Sequence, residues 1–411
     1  MGRAAARFAL NFWNQMPRTP LFCGLFVTLT LAACWTNAPL SREATGGSGG
    51  TATDSGGATS TAGTDVSGAG VGGAADAGTA GVTVAAAGGG SAGTSGSGGG
   101  TSCAVPTKFQ WASTGPIIAP QSDATHLLTG IKDPTVVFFA NQWNIYASTT
   151  DSSGNYNSVF LNFTDWSSVG SAPQQYLQGG VAPELFYFAP QKLWYRVYEW
   201  PDLYATSMDP TTGWSAGKSF YVTEPDIVTQ NKGSGGWLDF WVICNDTTCF
   251  LFSSDDNGHL YRAQTPSDSF PNGFDTPVIV LSDSNPGRVF EAANVYSMKG
   301  TGQYLLLVEA FDSGSGGKRY FRSWTAPALD GTWTPLQAEY ATPFASAQNV
   351  TFTGTAWTQD ISHGEMLRSG HDEKLEIDTC HLQYLYQGKD PGASGDYNKL
   401  PWRLGLLTAS N

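Results

Sequence analysis

The chain is poor in charge: only 13% of its 411 residues are Asp, Glu, Lys or Arg, and no basic cluster occurs anywhere. With a formal net charge of -13, this excludes a phosphate-binding surface of the kind nucleic acids require. No apolar run reaches the length of about 20 residues that a spanning helix needs. The longest one, Leu21 to Ala33, follows Arg3, Arg7 and Arg18 and ends in small residues. It therefore has the form of an export signal over residues 1–33. No Cys-x-x-Cys pair exists, which speaks against a zinc site. No segment has the periodicity of a helix of three turns.

Aromatic residues, by contrast, are plentiful at 13%, as suits a β-rich protein that stacks sugar rings on flat side chains. Leu31-Ala32-Ala33-Cys34 resembles the bacterial lipobox, which would make Cys34 a lipidated first residue and would tether an exported protein to a membrane by lipid alone. Residues 34–102 are mostly Gly, Ala, Ser and Thr, as in Ala87-Gly88-Gly89-Gly90-Ser91. Such a composition cannot bury enough apolar surface to offset its ordering entropy and reads as a flexible linker. With Cys23 and Cys34 set aside, four cysteines remain, an even number that suggests two disulfides in an exported domain. Cys103 with Cys380 would join the start of the domain to its last quarter, and Cys244 with Cys249 would close a hairpin turn.

From Cys103 to Asn411, short β-rich runs alternate with turn clusters such as Asp255-Asp256-Asn257-Gly258. The domain is expected to be all-β, and strand pattern alone separates a sandwich from a propeller poorly. An aromatic followed by polar residues recurs at Tyr146, Tyr204, Tyr261 and Phe321, each ahead of a turn and a Trp or Phe. The separations of about 50 to 60 residues favour repeated blades, four of them plus one in the C-terminal stretch.

Three acids stand alone in apolar or aromatic surroundings: Asp133 in Gly130-Ile131-Lys132-Asp133-Pro134-Thr135, Asp239 in Trp237-Leu238-Asp239-Phe240-Trp241, and Glu291 in Val289-Phe290-Glu291-Ala292-Ala293. Burying a carboxylate in such company costs several kcal/mol unless it is paired. Any one of them is explained by backbone N–H groups at a strand edge. Together they supply what glycoside hydrolysis uses: one carboxyl to protonate the leaving oxygen, one carboxylate to activate water, and a neighbour that separates their proton affinities.

These acids lie within an ordered set of segments: Ser113-Thr114-Gly115-Pro116, Lys132-Asp133, Val181 to Phe188, Phe290-Glu291, Asp360-Ile361-Ser362-His363-Gly364-Glu365 and Gly395 to Arg403. In that order they resemble glycoside hydrolase family 62, the α-L-arabinofuranosidases that debranch arabinoxylan, across residues 103–411. The resemblance implies a five-bladed β-propeller, an inverting mechanism, no organic cofactor and a calcium ion near the central channel. Asp133 then resembles the general base, Glu291 the general acid, and Asp239 the residue that orients the acid and modulates its proton affinity. Lys132, Trp200, Arg322, Tyr397 and Asn398 are the candidate substrate contacts, with Arg322 equally open to a buried structural role, and His363 is the candidate metal ligand. The expected partner is arabinoxylan or its oligosaccharides, bound by a monomer that is secreted or held at the cell surface. A related family 43 propeller hydrolase, such as a β-xylosidase or arabinanase, shares this layout of acids. A non-catalytic propeller that only binds polysaccharide is the alternative of another class.

Overall fold

The structure, a computed structural model, describes residues 103–199 and 203–410. The signal, Cys34, the Gly-rich linker and Trp200 lie outside the described residues. Five largely antiparallel sheets follow one another along the chain, and their innermost strands are Leu128–Phe139, Val181–Phe188, Leu238–Cys244, Glu291–Met298 and Ser362–Met366. These define blades I to V of a five-bladed β-propeller, as the repeat and the resemblance led us to expect. Among the described residues there is one short α-helix, Asp226–Asn231. The inner strands are covered on both faces by neighbouring blades; Leu238–Cys244, buried at every position, is apolar throughout except for Asp239. Outer strands such as Val278–Ser282 are only partly covered.

Blade V closes the ring with both ends of the domain. Trp111–Ser113 pairs antiparallel with the C-terminal strand Arg403–Ala409, Trp111 facing Ala409, and parallel with Val350–Phe352. The fifth blade is thus not purely C-terminal: it borrows a strand that precedes blade I. A Cys103–Cys380 disulfide, spanning 277 residues of chain, fastens the same region. Cys244 and Cys249 are cross-strand neighbours in blade III and form the second disulfide. The turn between them is held by Asn245 Oδ1, which accepts from the Thr247 and Thr248 N–H groups at 2.9 and 2.8 Å.

Loss of the long-range bridge is expected to be costly, because it constrains nearly the whole unfolded domain. Cys103→Ser with Cys380→Ser should lower unfolding free energy by about 2–4 kcal/mol, measured by denaturant titration. An unchanged midpoint would show that strand closure in blade V alone fixes the ring.

A single irregularity repeats in all five blades. Each inner strand carries one extra residue relative to its partner, between Lys132 and Thr135, Val181 and Glu184, Leu238 and Trp241, Glu291 and Asn294, and Ser362 and Gly364. The residue at the bulge adopts positive φ at Asp133 (47°), Ala182 (44°), Asp239 (53°) and Ala292 (54°). In the fifth blade His363 occupies this place. Bulges turn a strand and re-aim its side chains, and here they do so at one height around the ring.

Candidate active site

The N–H of each bulge residue is bonded by a side chain of the preceding blade. Asp133 N–H donates to Gln387 Oε1 (2.7 Å), Ala182 N–H to Ser148 Oγ (2.8 Å), Asp239 N–H to Glu199 Oε2 (2.9 Å) and His363 N–H to Glu309 Oε2 (2.6 Å). Ser148, Glu199, Ser254, Glu309 and Gln387 occupy one equivalent position, opposite the start of each bulge on the second strand. Four of the five serve the next blade in this way. The exception is Ser254: the Ala292 N–H donates instead to Asp239 Oδ2 at 2.6 Å, and the Ser254 hydroxyl is buried without a partner. Asp239 therefore takes over the interblade bond between blades III and IV, which draws its carboxylate to the residue that follows Glu291.

The ring brings the three predicted acids to one mouth of the axis. Asp133 and Asp239 sit at equivalent bulges of blades I and III, and Glu291 stands one position before the bulge of blade IV. His363, at the bulge of blade V, lies between the two aspartates, with Nδ1 3.3 Å from Asp133 Oδ1 and 3.8 Å from Asp239 Oδ1. Asp133, Asp239 and Lys132 are all buried. Burial pushes the Asp239 carboxyl up to about 7; Glu291 and Asp133 add to the rise, while His363 and the Ala292 N–H oppose it. For His363, burial works against the charged imidazolium, but Asp239, Asp133, Glu309 and Glu291 outweigh it and raise its pKa. Glu199, behind Asp239, is pushed well above the usual carboxylate range by burial and by the Asp239 charge.

Lys132 is not a solvated surface lysine. Its ammonium lies 3.5 Å from Asp133 Oδ2 and donates to Tyr397 OH at 3.1 Å and to Tyr156 OH at 3.5 Å. Tyr156 OH in turn donates to Asn398 Oδ1 at 3.0 Å, so the C-terminal loop residues Tyr397 and Asn398 are tied to the Asp133 side of the site. Burial disfavours the charge on Lys132, but Asp133, Tyr156, Tyr397 and Glu291 more than compensate and hold it ionised.

Arg322 has the buried setting of the structural role that the sequence left open. It is buried in the third strand of blade IV, where Nε donates to Ala338 O at 2.6 Å, Nη1 donates to Arg288 O, and the guanidinium stacks on Trp324. All of these contacts are structural, and none involves the acids. The arginine that does reach the site is Arg319, on the turn that leads into the same strand. Its Nη1 is shared between the carboxylates of Glu291 and Glu309, with Tyr397 across its face at 4.9 Å. Asp256 is a second residue that sequence reading passed over, as part of a turn cluster. Its φ is 54°, and burial, then the charges of Glu291 and Asp239 and a hydrogen bond to Glu291, push its carboxyl well above the usual range.

Among the described residues no group of three or more His, Cys, Asp or Glu is placed to hold a metal ion. A calcium ion at His363 would need waters or carbonyl oxygens for nearly its whole shell, since hard cations take oxygen ligands.

The profile of glycosyl hydrolase family 62 matches residues 110–408. α-L-Arabinofuranosidase C of Cellvibrio japonicus (strain Ueda107) is 42% identical over 315 residues, covering 74% of this chain and 48% of that protein, so the chain spans about half the length of this curated relative. Among solved structures, the catalytic domain of a Coprinopsis cinerea family 62 α-L-arabinofuranosidase is 51% identical with a TM-score of 0.72, covering 75% of this chain and 99% of that one. An α-L-arabinofuranosidase from Podospora anserina, solved in complex with cellotriose, is 46% identical with a TM-score of 0.71 over 75% and 98%. A family 62 hydrolase in complex with xylotriose is 45% identical with a TM-score of 0.70 over 74% and 98%. A family match over most of the propeller and three close structural relatives agree with the ring of acids, and the chain belongs to glycosyl hydrolase family 62.

Proposed function

We propose that the protein hydrolyses α-L-arabinofuranosyl side groups from arabinoxylan with inversion at the anomeric carbon. The observation that carries this reading is the convergence of Asp133, Asp239 and Glu291 from three different blades on one mouth, each at or beside the same bulge. In this mechanism Asp133 removes a proton from water as it attacks the anomeric carbon, and Glu291 delivers a proton to the departing xylan oxygen. Lys132, held ionised, orients Asp133 and, with Tyr397 and Asn398, offers donors to sugar hydroxyls. Arg319 fixes the Glu291 side chain, and Asp239 places a charge that appears only as pH rises.

The testing experiment is proton NMR of the first product from wheat arabinoxylan. Fresh β-arabinofuranose is expected before mutarotation. Fresh α-anomer would overturn inversion, and release of xylose or of linear arabino-oligosaccharides in place of arabinose would favour a family 43-like specificity.

The division into a signal (1–33), a linker (34–102) and a catalytic domain (103–411) is part of the same proposal, with the mature protein lipid-anchored through Cys34. A coil of that length has a root-mean-square span on the order of 45 Å, enough reach for a tethered enzyme to meet an insoluble polymer. Cys34→Ser is expected to move the protein from the membrane to the soluble fraction at unchanged activity per molecule. Identical fractionation of the two would refute the anchor.

A further inference from the structure

Between blades I and II, beside the acids but apart from them, a cavity of about 310 Å³ opens, lined among others by Tyr156, Gln178, Gly180, Arg196, Tyr198 and Glu199. Its volume is at the low end for a small-molecule site, about 300–1,000 Å³, and suits a single sugar ring. Arg196 is the unusual element. Its guanidinium is packed among Tyr146, Tyr198 and Trp214, at 5.0, 5.3 and 5.1 Å from the ring centroids. The polar atoms of two of those rings are engaged elsewhere: Tyr146 OH donates to Pro210 O, and Trp214 Nε1 donates to Tyr146 OH.

Among the described residues no carboxylate pairs with Arg196, and its buried Nε has no hydrogen-bond partner. A guanidinium normally finds a carboxylate or a set of carbonyls for its fork of donors. The wall it faces is kept bare. Gly180, at φ 73°, presents no side chain there; a Cβ would lie in ordinary contact with Arg196 Cζ at 3.7 Å and tightly against Ser158 Oγ at 3.3 Å. Glu199, the acidic residue on the lining, is buried with one oxygen committed to the Asp239 N–H. Burial and the Asp239 charge hold it toward the neutral form, so it does not cancel the cation.

We propose that this cavity binds the carboxylate of an acidic sugar, a hexuronosyl side group borne by the same polysaccharide as the arabinofuranosyl group, with Arg196 as the anion-binding residue. The inference rests on the function proposed above for its choice of polymer. Tyr156 joins the two sites: it lines the cavity, and its hydroxyl contacts Lys132 and Asn398. A substituent a short way along the xylan backbone from the scissile branch would therefore reach Arg196. The planar fork recognises a carboxylate by two parallel N–H bonds, and Tyr198 offers a flat face to the sugar ring.

Intrinsic tryptophan fluorescence reports the site through Trp214. Titration of the wild-type protein with D-glucuronate and with D-glucose should show at least about 10-fold tighter binding of the uronate, the size expected of a charge-assisted hydrogen bond. Arg196→Met should abolish that preference, and Arg196→Lys should keep only part of it. On oligosaccharides, the wild-type kcat/KM for uronate-bearing arabinoxylo-oligosaccharides should exceed that for neutral ones by a similar factor. Equal wild-type affinities for the two sugars would overturn the proposal whatever the variants do, as would a uronate preference that survives in Arg196→Met. A uronate preference without arabinose release from any substrate would overturn the proposed activity and leave the anion site standing.

Discussion

Replacing Glu291 or Asp133 with alanine should lower kcat on arabinoxylan by about 10²–10⁴-fold each, the usual worth of a positioned general acid or base, while the far-UV spectrum stays unchanged. The two losses should differ in kind. Xylan is a poor leaving group and needs the proton from Glu291, whereas para-nitrophenolate departs without one. Glu291→Ala should therefore recover most of its activity on para-nitrophenyl α-L-arabinofuranoside. Asp133→Ala should remain impaired on both substrates, because water must be deprotonated in either case. A variant that keeps a third of wild-type turnover on arabinoxylan removes its residue from the mechanism. Equal recovery of both variants on the activated substrate would reverse the assignment of acid and base.

How much of this was legible beforehand depends on what each signal recorded. The three acids were visible because the inner strands of a propeller are apolar on both faces, so a lone carboxylate in Leu238–Cys244 has no bland neighbours to hide among. Five blades were visible only as a weak spacing of aromatics, and those aromatics do not mark one place. Tyr204, Tyr261 and Phe321 lie on third strands, whereas Tyr146 lies on the second strand of blade I. The real fivefold feature is the inner-strand bulge, and its residues are two aspartates, two alanines and a histidine, Asp133, Asp239, Ala182, Ala292 and His363, with no side chain common to all five. Backbone geometry repeats there while side chains diverge, so no residue pattern could carry it.

Arg322 and Arg319 show the complementary failure. Both stand near the start of the strand Tyr320–Ala326, and an arginine after an aromatic in a strand drew attention to the wrong one. Strand alternation could not decide between them: Arg322 turns to the carbonyls of Arg288 and Ala338, and Arg319, just outside the strand, is free to reach Glu291. Asp256 was hidden for another reason. Asp255-Asp256-Asn257-Gly258 is what a tight turn needs, and Asp255 does serve the turn by accepting from the Asn257 N–H at 2.8 Å. Only the fold reveals that its neighbour faces Glu291.

Asp239→Asn should separate function from stability at a single carboxylate. Asparagine can still accept the Ala292 N–H through its amide oxygen, so the interblade bond survives while the charge is lost. Activity should fall by about 10²-fold, and the pH profile should lose whatever change the wild type shows near pH 7, where its Asp239 carboxyl ionises. Stability should change in the opposite direction. The folded-state pKa of Asp239 is raised from 3.8 to about 7, chiefly by burial, so the folded protein holds this proton more tightly than the unfolded chain does. The stabilisation linked to that proton is complete below the unfolded value and is lost as pH rises towards the folded one. Above about pH 7 the wild type carries the full cost of a buried ionised carboxylate, on the order of 2–4 kcal/mol, and an amide carries none of it. Denaturant titrations should therefore find the variant more stable than wild type at about pH 8, with the difference shrinking towards pH 4. A difference that is the same at both pH values would mean that Asp239 is not the group whose charge the fold bears, and a pH profile identical to that of the wild type would remove its ionisation from the reaction.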